Sequence, residues 1–355
     1  MPDDSGDRIA KMTRAGLSAA VAVARAQGLP ADDPEVLSSR GNVLVHLRPA
    51  PVVARVAALT AWTRSEPFDW LAREVAVAGY AAANGGPVVP PTPLADPGPH
   101  WSDGLVVSLW SFVPPSPLRP APAEFGVALA RLHIAAAAFP GDLPVLAPLR
   151  AQIGDALAAL ERERVLEPAV LAALRDRHAK ILAELDGLDG IDGIDGPGGP
   201  GRPGGPGRPG GPGRPGGPGR PGGPGRPGRP GLVLHGDAHP GNLLWTSAGW
   251  LWTDLEETCR GPRAFDLAVL IRGQGAGDAA TALAAYADAT GEPLPGPGEM
   301  AWFDWARALE GAVWMLGMAH QYPARYAEQA PAYLASVLAS TRPSPGPDLG
   351  STMGA

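Results

Sequence analysis

The sequence predicts a mixed α+β chain in two parts, a small antiparallel-sheet part at the start and a mainly helical part after it. Three observations predict it. Runs rich in β-branched residues at positions 42–47, 52–57 and 105–112 are bounded by turn residues. From about residue 124 onward apolar residues recur at helical spacing. Strand-like runs then return only briefly, between residues 232 and 253.

The elements follow in order. Residues 7–27 are good helix formers closed by Gly28-Leu29-Pro30, a glycine stop and a proline that cannot continue the helix. Residues 42–47 and 52–57, separated by Arg48-Pro49-Ala50-Pro51, form an antiparallel hairpin. Pro67 and Asp69 open a helix to about residue 83, with Trp70, Leu71, Val75, Ala78 and Gly79 as its buried stripe. The strand at 105–112 is stopped by Pro114-Pro115. Helices follow at 124–138 and, in two patterns, at 150–185; short strands at 232–235, 243–245 and 250–253 precede a helical remainder. The divisions expected are a first lobe over 1–113, a helical lobe over 114–341 interrupted at 186–231, and a flexible tail over 342–355.

The interruption is unusual in composition. From Gly198 to Gly231 glycine recurs at every third position with proline before each next glycine, a collagen-like pattern. A triple-helical rod of that length would hold its ends roughly 100 Å apart. The flanking sequences read as one lobe, so a disordered loop is expected, and a trimerising rod is the competing reading.

Composition excludes several classes. The chain has 355 residues, a formal net charge of −7 and a single cysteine, Cys259. Six of its arginines lie in the Gly/Pro tract, so the rest is more acidic still, and no nucleic-acid partner is expected. No apolar run reaches the roughly 20 residues of a membrane-spanning helix. With no disulfide possible within the chain, a cytoplasmic protein, monomeric or weakly dimeric, is expected.

The chemistry lies in His235-Gly236-Asp237-Ala238-His239-Pro240-Gly241-Asn242, on a loop between two short strands, with Asp254 at the end of the next strand. Phosphoryl transfer needs a carboxylate to orient the attacking hydroxyl and oxygen ligands to hold Mg²⁺ against the phosphates. Asp237, Asn242 and Asp254 are those residue types at suitable spacing. Caps on a strand turn are the plainer alternative for them. A zinc site at His235 and His239 is disfavoured, because four residues on a loop do not set two rings on one face as they would on a helix.

Together with Trp252-Thr253-Asp254-Leu255-Glu256 and Gly261-Pro262-Arg263-Ala264-Phe265-Asp266-Leu267-Ala268, this loop resembles the aminoglycoside phosphotransferase family, relatives of choline and homoserine kinases. The resemblance implies a two-lobed protein-kinase-like fold that uses ATP and Mg²⁺ to phosphorylate a hydroxyl of a small molecule, such as an aminoglycoside or other amino-bearing compound. It implies Asp237 as the catalytic base, Asn242 and Asp254 as metal ligands, and Asp266 as an anchor bracing the loop. His235 and His239 are then supports of that loop.

The first lobe completes the expectation. Arg55 on a strand and Glu74 on the following helix stand where a kinase keeps its phosphate-gripping cation and the acid that holds it. Ser38-Ser39-Arg40-Gly41-Asn42 occupies the place of the loop over the nucleotide. Backbone groups at Leu109, Trp110 and Ser111 are expected to read the adenine. His133 supports the catalytic loop, and seven acids between Asp278 and Glu328 lie on the acceptor side. A catalytically inactive kinase-like scaffold and a collagen-like oligomer are the competing functions.

Overall fold

Alternation in residues 35–57 and 100–111 produces a sheet of five strands. The computed structural model describes residues 4–58, 65–114, 116–189, 231–247, 249–272 and 274–343. β1 (Glu35–Ser39), β2 (Val43–His46), β3 (Val52–Ala57), β4 (His100–Ser102) and β5 (Leu105–Ser111) run in the order β1-β2-β3-β5-β4, every neighbour antiparallel. β2 alternates buried Val43 and Val45 with half-buried neighbours, whereas β3, central in the sheet, is almost wholly buried. One face is covered by α1 (Asp4–Ala26), whose Ala19, Ala20, Val23 and Ala24 pack against Val43, Val45, Val52 and Ala54. The segment at 38–42 comprises the last two residues of β1 and the turn into β2.

α2 (Pro67–Ala83) buries Trp70, Leu71, Glu74, Val77, Ala78 and Ala81. Val77 takes the place expected for Val75, and the stripe includes an acid, Glu74. Leu71 packs with Ala57 and Val106, which ties the helix to the sheet.

The helical lobe is built around two clusters. In one, α3 (Pro122–Ala136) lies against α7 (Ala276–Thr290), so close at Gly126 that a Cβ there would sit 2.0 Å from the carbonyl oxygen of Ala282. In the other, α8 (Pro297–Gln321) packs Trp302, Trp305, Leu309 and Val313 against α4 (Ile153–Arg162), α5 (Pro168–Asp189), α6 (Ala264–Ile271) and α10 (Ala330–Ala339). A π-turn at Pro148–Gln152 leads into α4, and a single helical turn, α9 (Pro323–Tyr326), follows α8. α5 extends to Asp189, so the first residues assigned to the interruption are helical. The Gly/Pro/Arg tract from 190 to 230 and the tail from 344 lie outside the described residues.

Two ribbons set the site. β6 (Leu232–Leu234) pairs antiparallel with β9 (Cys259–Gly261), a strand too short to be read from sequence, and β7 (Leu243–Thr246) pairs with β8 (Gly249–Trp252). Residues 235–242 link the first ribbon to the second, and residues 253–258 lead back. No helix among the described residues is long and apolar enough to cross a membrane.

Candidate active site

The loop at residues 235–242 is fixed from below by one buried carboxylate. Asp266, in the first turn of α6, accepts the N–H of His235 at 2.7 Å and that of Gly236 at 2.9 Å. His133 Nε2 lies 2.9 Å from the same carboxylate, and its Nδ1 lies 2.9 Å from the Tyr286 hydroxyl. Burial alone would raise the Asp266 carboxyl, but these hydrogen bonds and the His133 charge outweigh it and hold it below the ordinary range. Gly236 has φ +91°, and a Cβ would come 2.1 Å from the Glu257 carbonyl, so only glycine fits. Burial pushes the His235 ring down. Its Nδ1 accepts from the Asp237 N–H at 3.2 Å, which leaves Nε2 to donate to the Thr253 carbonyl at 3.0 Å. His239 Nδ1 accepts the Gly241 N–H at 2.9 Å. Each ring thus has its Nδ1 bonded within the loop.

Around this frame the three expected polar residues converge. Asn242 donates its amide N–H to the Asp237 carbonyl at 3.0 Å and to Asp237 Oδ2 at 3.3 Å. The backbone of Thr253 bonds that of Asn242 at 2.8 Å, carrying Asp254 to the same place. Asp254 adopts φ +63°, a left-handed conformation uncommon for a residue with a side chain and concentrated at functional sites. The Asp237 carboxyl would be raised by burial. The hydrogen bond from His239 and the Arg307 charge outweigh that and hold it well below the ordinary carboxylate range.

Arg55 reaches the site from β3 and joins the two lobes. Its Nη1 donates to Glu74 Oε1 at 2.8 Å, and its Nη2 to Asp254 Oδ1 at 2.5 Å and Glu256 Oε2 at 2.6 Å. Asn42, at the end of the β1–β2 turn, donates to the same Glu256 oxygen at 3.0 Å. Burial dominates at Glu74 and, against the neighbouring arginine, pushes its carboxyl up to about 8. For Arg55 burial works the other way, but the charges of Asp254, Glu74 and Glu256 prevail and raise it.

A second arginine was not anticipated. Arg307 of α8 donates to Asp237 Oδ1 at 2.9 Å, and also contacts Glu257 at 3.2 Å and Glu310 at 2.9 Å. Gln152, at the end of the π-turn, donates to Glu257 at 3.1 Å and to Glu310 at 3.3 Å. One signal was present in the sequence. Arg307 and Glu310, three apart, interrupt the stripe Trp302, Trp305, Leu309 and Val313, and both are buried with it. Of the seven acids on this side, Glu299 and Glu310 are buried and the other five are exposed.

The strand expected to read adenine is closed over much of its length. The N–H of Leu109 donates to the Pro97 carbonyl at 2.9 Å, and that of Ser111 to the Pro90 carbonyl at 3.0 Å. Trp110 is buried, with its indole N–H on the Ser108 hydroxyl at 2.9 Å. Expected backbone contacts at Leu109 and Ser111 are therefore already used inside the protein. The N–H of Phe112 is used as well, on the Pro51 carbonyl at 2.9 Å.

The donor set suits a hard cation shared with phosphates. Asp254 keeps 40% of its side-chain surface exposed. Among the described residues no hydrogen bond engages the Asn242 amide oxygen. No group of three or more His, Cys, Asp or Glu able to hold an ion occurs among the described residues.

Comparisons with known proteins bear on the fold and on one segment of the chain. Residues 219–303 match the model of the phosphotransferase enzyme family. A comparison with curated proteins finds no match. Among solved structures the chain resembles an amicoumacin kinase in complex with AMP-PNP, Ca²⁺ and Ami, at 10% identity over 88% of this chain and 90% of that one, TM-score 0.58. It also resembles an aminoglycoside-3′-phosphotransferase of type VIII, at 18% identity over 83% and 99%, TM-score 0.50. These likenesses establish a kinase-like fold, and the matched segment spans both the catalytic loop and Asp254. Residues 219–303 thus resemble the phosphotransferase enzyme family, and the fold resembles that of small-molecule kinases.

Proposed function

We propose that the chain transfers the γ-phosphoryl group of ATP to a hydroxyl of a small molecule, acting in the cytoplasm as a monomer or weak dimer. What supports this reading is the pair of contacts Asn242 to Asp237 and Arg55 to Asp254, linked by the backbone bond from Thr253 to Asn242. Asp237 takes the acceptor's hydroxyl proton as the new O–P bond forms and the bond to ADP breaks. Asn242 and Asp254 are the residues that would hold magnesium, and Arg55, braced by Glu74, turns to the phosphates. Magnesium bound with the nucleotide supplies charge neutralisation on the transferring group. An amino-bearing acceptor such as an aminoglycoside suits the acidic side formed by α7 and α8.

The test is Mg²⁺-dependent ADP release from ATP across aminoglycosides, other antibiotics and amino alcohols, with the product confirmed by mass. Asp237→Asn should lower kcat about 100- to 10,000-fold with an acceptor found in that panel. Undiminished turnover in that variant would remove Asp237 from its role. Arg55 held by Asp254 and Glu256 also suits a scaffold that binds nucleotide without turning it over. Calorimetric binding of Mg–AMP-PNP with no product from any acceptor would favour that second reading.

A further inference from the structure

Asp237 has two carboxylate oxygens in unlike surroundings. Oδ1 takes a 2.9 Å hydrogen bond from Arg307. Among the described residues Oδ2 has only long contacts, 3.3 Å to the Asn242 amide and 3.4 Å to His239. Arg307 is itself immobilised. Glu257 and Glu310 hold its other nitrogen, Gln152 ties those two acids together, and the guanidinium lies over the Phe265 ring at 5.1 Å from its centre. The whole assembly is buried, with Arg307, Glu310 and Gln152 each under a tenth exposed.

Stability is a poor reason for such a cluster. A buried ion group is commonly matched or bettered by apolar residues of the same volume, and α8 is otherwise apolar where it meets α6 and α4. What the cluster does supply is a fixed direction. A planar fork braced on two carboxylates can hold one oxygen of a third in one orientation, as a flexible ammonium cannot.

We propose that Arg307 is a positioning residue for phosphoryl transfer: by binding Oδ1 of Asp237 it turns Oδ2 toward the acceptor hydroxyl. This rests on the kinase reading, in which Asp237 receives the hydroxyl proton while the O–P bond to the acceptor forms and the bond to ADP breaks. Arg307 itself touches neither nucleotide nor acceptor. Its reach from α8 makes the acceptor side of the cleft responsible for aiming the base that the catalytic loop carries.

Two variants test it. Arg307→Lys keeps the charge and loses the fork. The triple variant Arg307→Met/Glu257→Gln/Glu310→Gln removes the fork without stranding buried carboxylates, so it is the one expected to fold. For each, ADP release at saturating Mg–ATP is measured with an acceptor found for the wild type, or with water as acceptor, beside calorimetric affinity for Mg–AMP-PNP. The expected result is a kcat about 100-fold lower in the triple variant, the scale of a misplaced catalytic group, with nucleotide affinity within about twofold. A merely structural role would instead move melting temperature and nucleotide affinity while leaving kcat in the folded fraction. A crystal structure of the triple variant supplies the second readout, in which the Asp237 carboxylate is expected to have rotated. A folded triple variant with wild-type kcat, or with that carboxylate unmoved, overturns the inference. A wild type that neither binds Mg–AMP-PNP nor releases ADP overturns the kinase reading instead, and the crystallographic comparison still decides the role of Arg307.

Discussion

Glu74 is buried to the last percent of its surface, and Arg55 is the group that makes this tolerable. At about pH 9, where Glu74 is ionised, removing the arginine strands a buried charge, so Arg55→Met should destabilise the fold there by about 3–5 kcal/mol, and Glu74→Gln beside it should recover most of that. The same acid has a pH signature. Its carboxyl is raised to about 8 from an ordinary value of 4.5, so the folded chain binds the extra proton. Its contribution is fully present below the unfolded value and is lost as pH rises through about 8. Urea midpoints at about pH 5 and about pH 9 should therefore differ more in the wild type than in Glu74→Gln. An equal difference in the two proteins would show that Glu74 stays ionised throughout.

Among the elements, the contact most exposed to a single change is that of α3 with α7. Gly126 lets the two backbones meet, and a Cβ would enter the space of the Ala282 carbonyl. Gly126→Ala should lower stability by about 1–3 kcal/mol despite the higher helix propensity of alanine, measured as a fall in melting temperature. Sequence legibility divides along the same line. β2, β3 and β5 were readable because buried sheet strands carry β-branched residues at period two, and α3 because its apolar period is unbroken. β1, exposed along most of its length, and β4 and β9, three residues each, carry too little pattern. Asp237, Asn242 and Asp254 were legible as local spacing on one loop and the strand after it. Arg307 was not, since it reaches Asp237 across 70 residues and sits in a stripe that otherwise reads as core. Nor was the closing of Leu109 and Ser111 by Pro97 and Pro90, which depends on how a proline-rich segment lies along the strand edge.

At the scale of the whole molecule, the lobes are joined at their polar centre. Arg55 and Asn42 from the first lobe meet Asp254 and Glu256 from the second. The site is also divided along the chain. Arg55, Glu74 and Gln152 precede the last described residue of α5, Asp189, while Asp237, Asn242, Asp254 and Arg307 follow the start of β6 at Leu232. A protease nick between residues 190 and 230 would thus leave two fragments, each with part of the proposed site. Those fragments share one apolar interior, Leu149, Ile153, Leu160 and Leu174 of the first lying among Phe265, Trp302, Trp305 and Leu309 of the second. Co-expressed as separate polypeptides, the two should associate and copurify. Fragments that fold singly and fail to associate would contradict the shared interior.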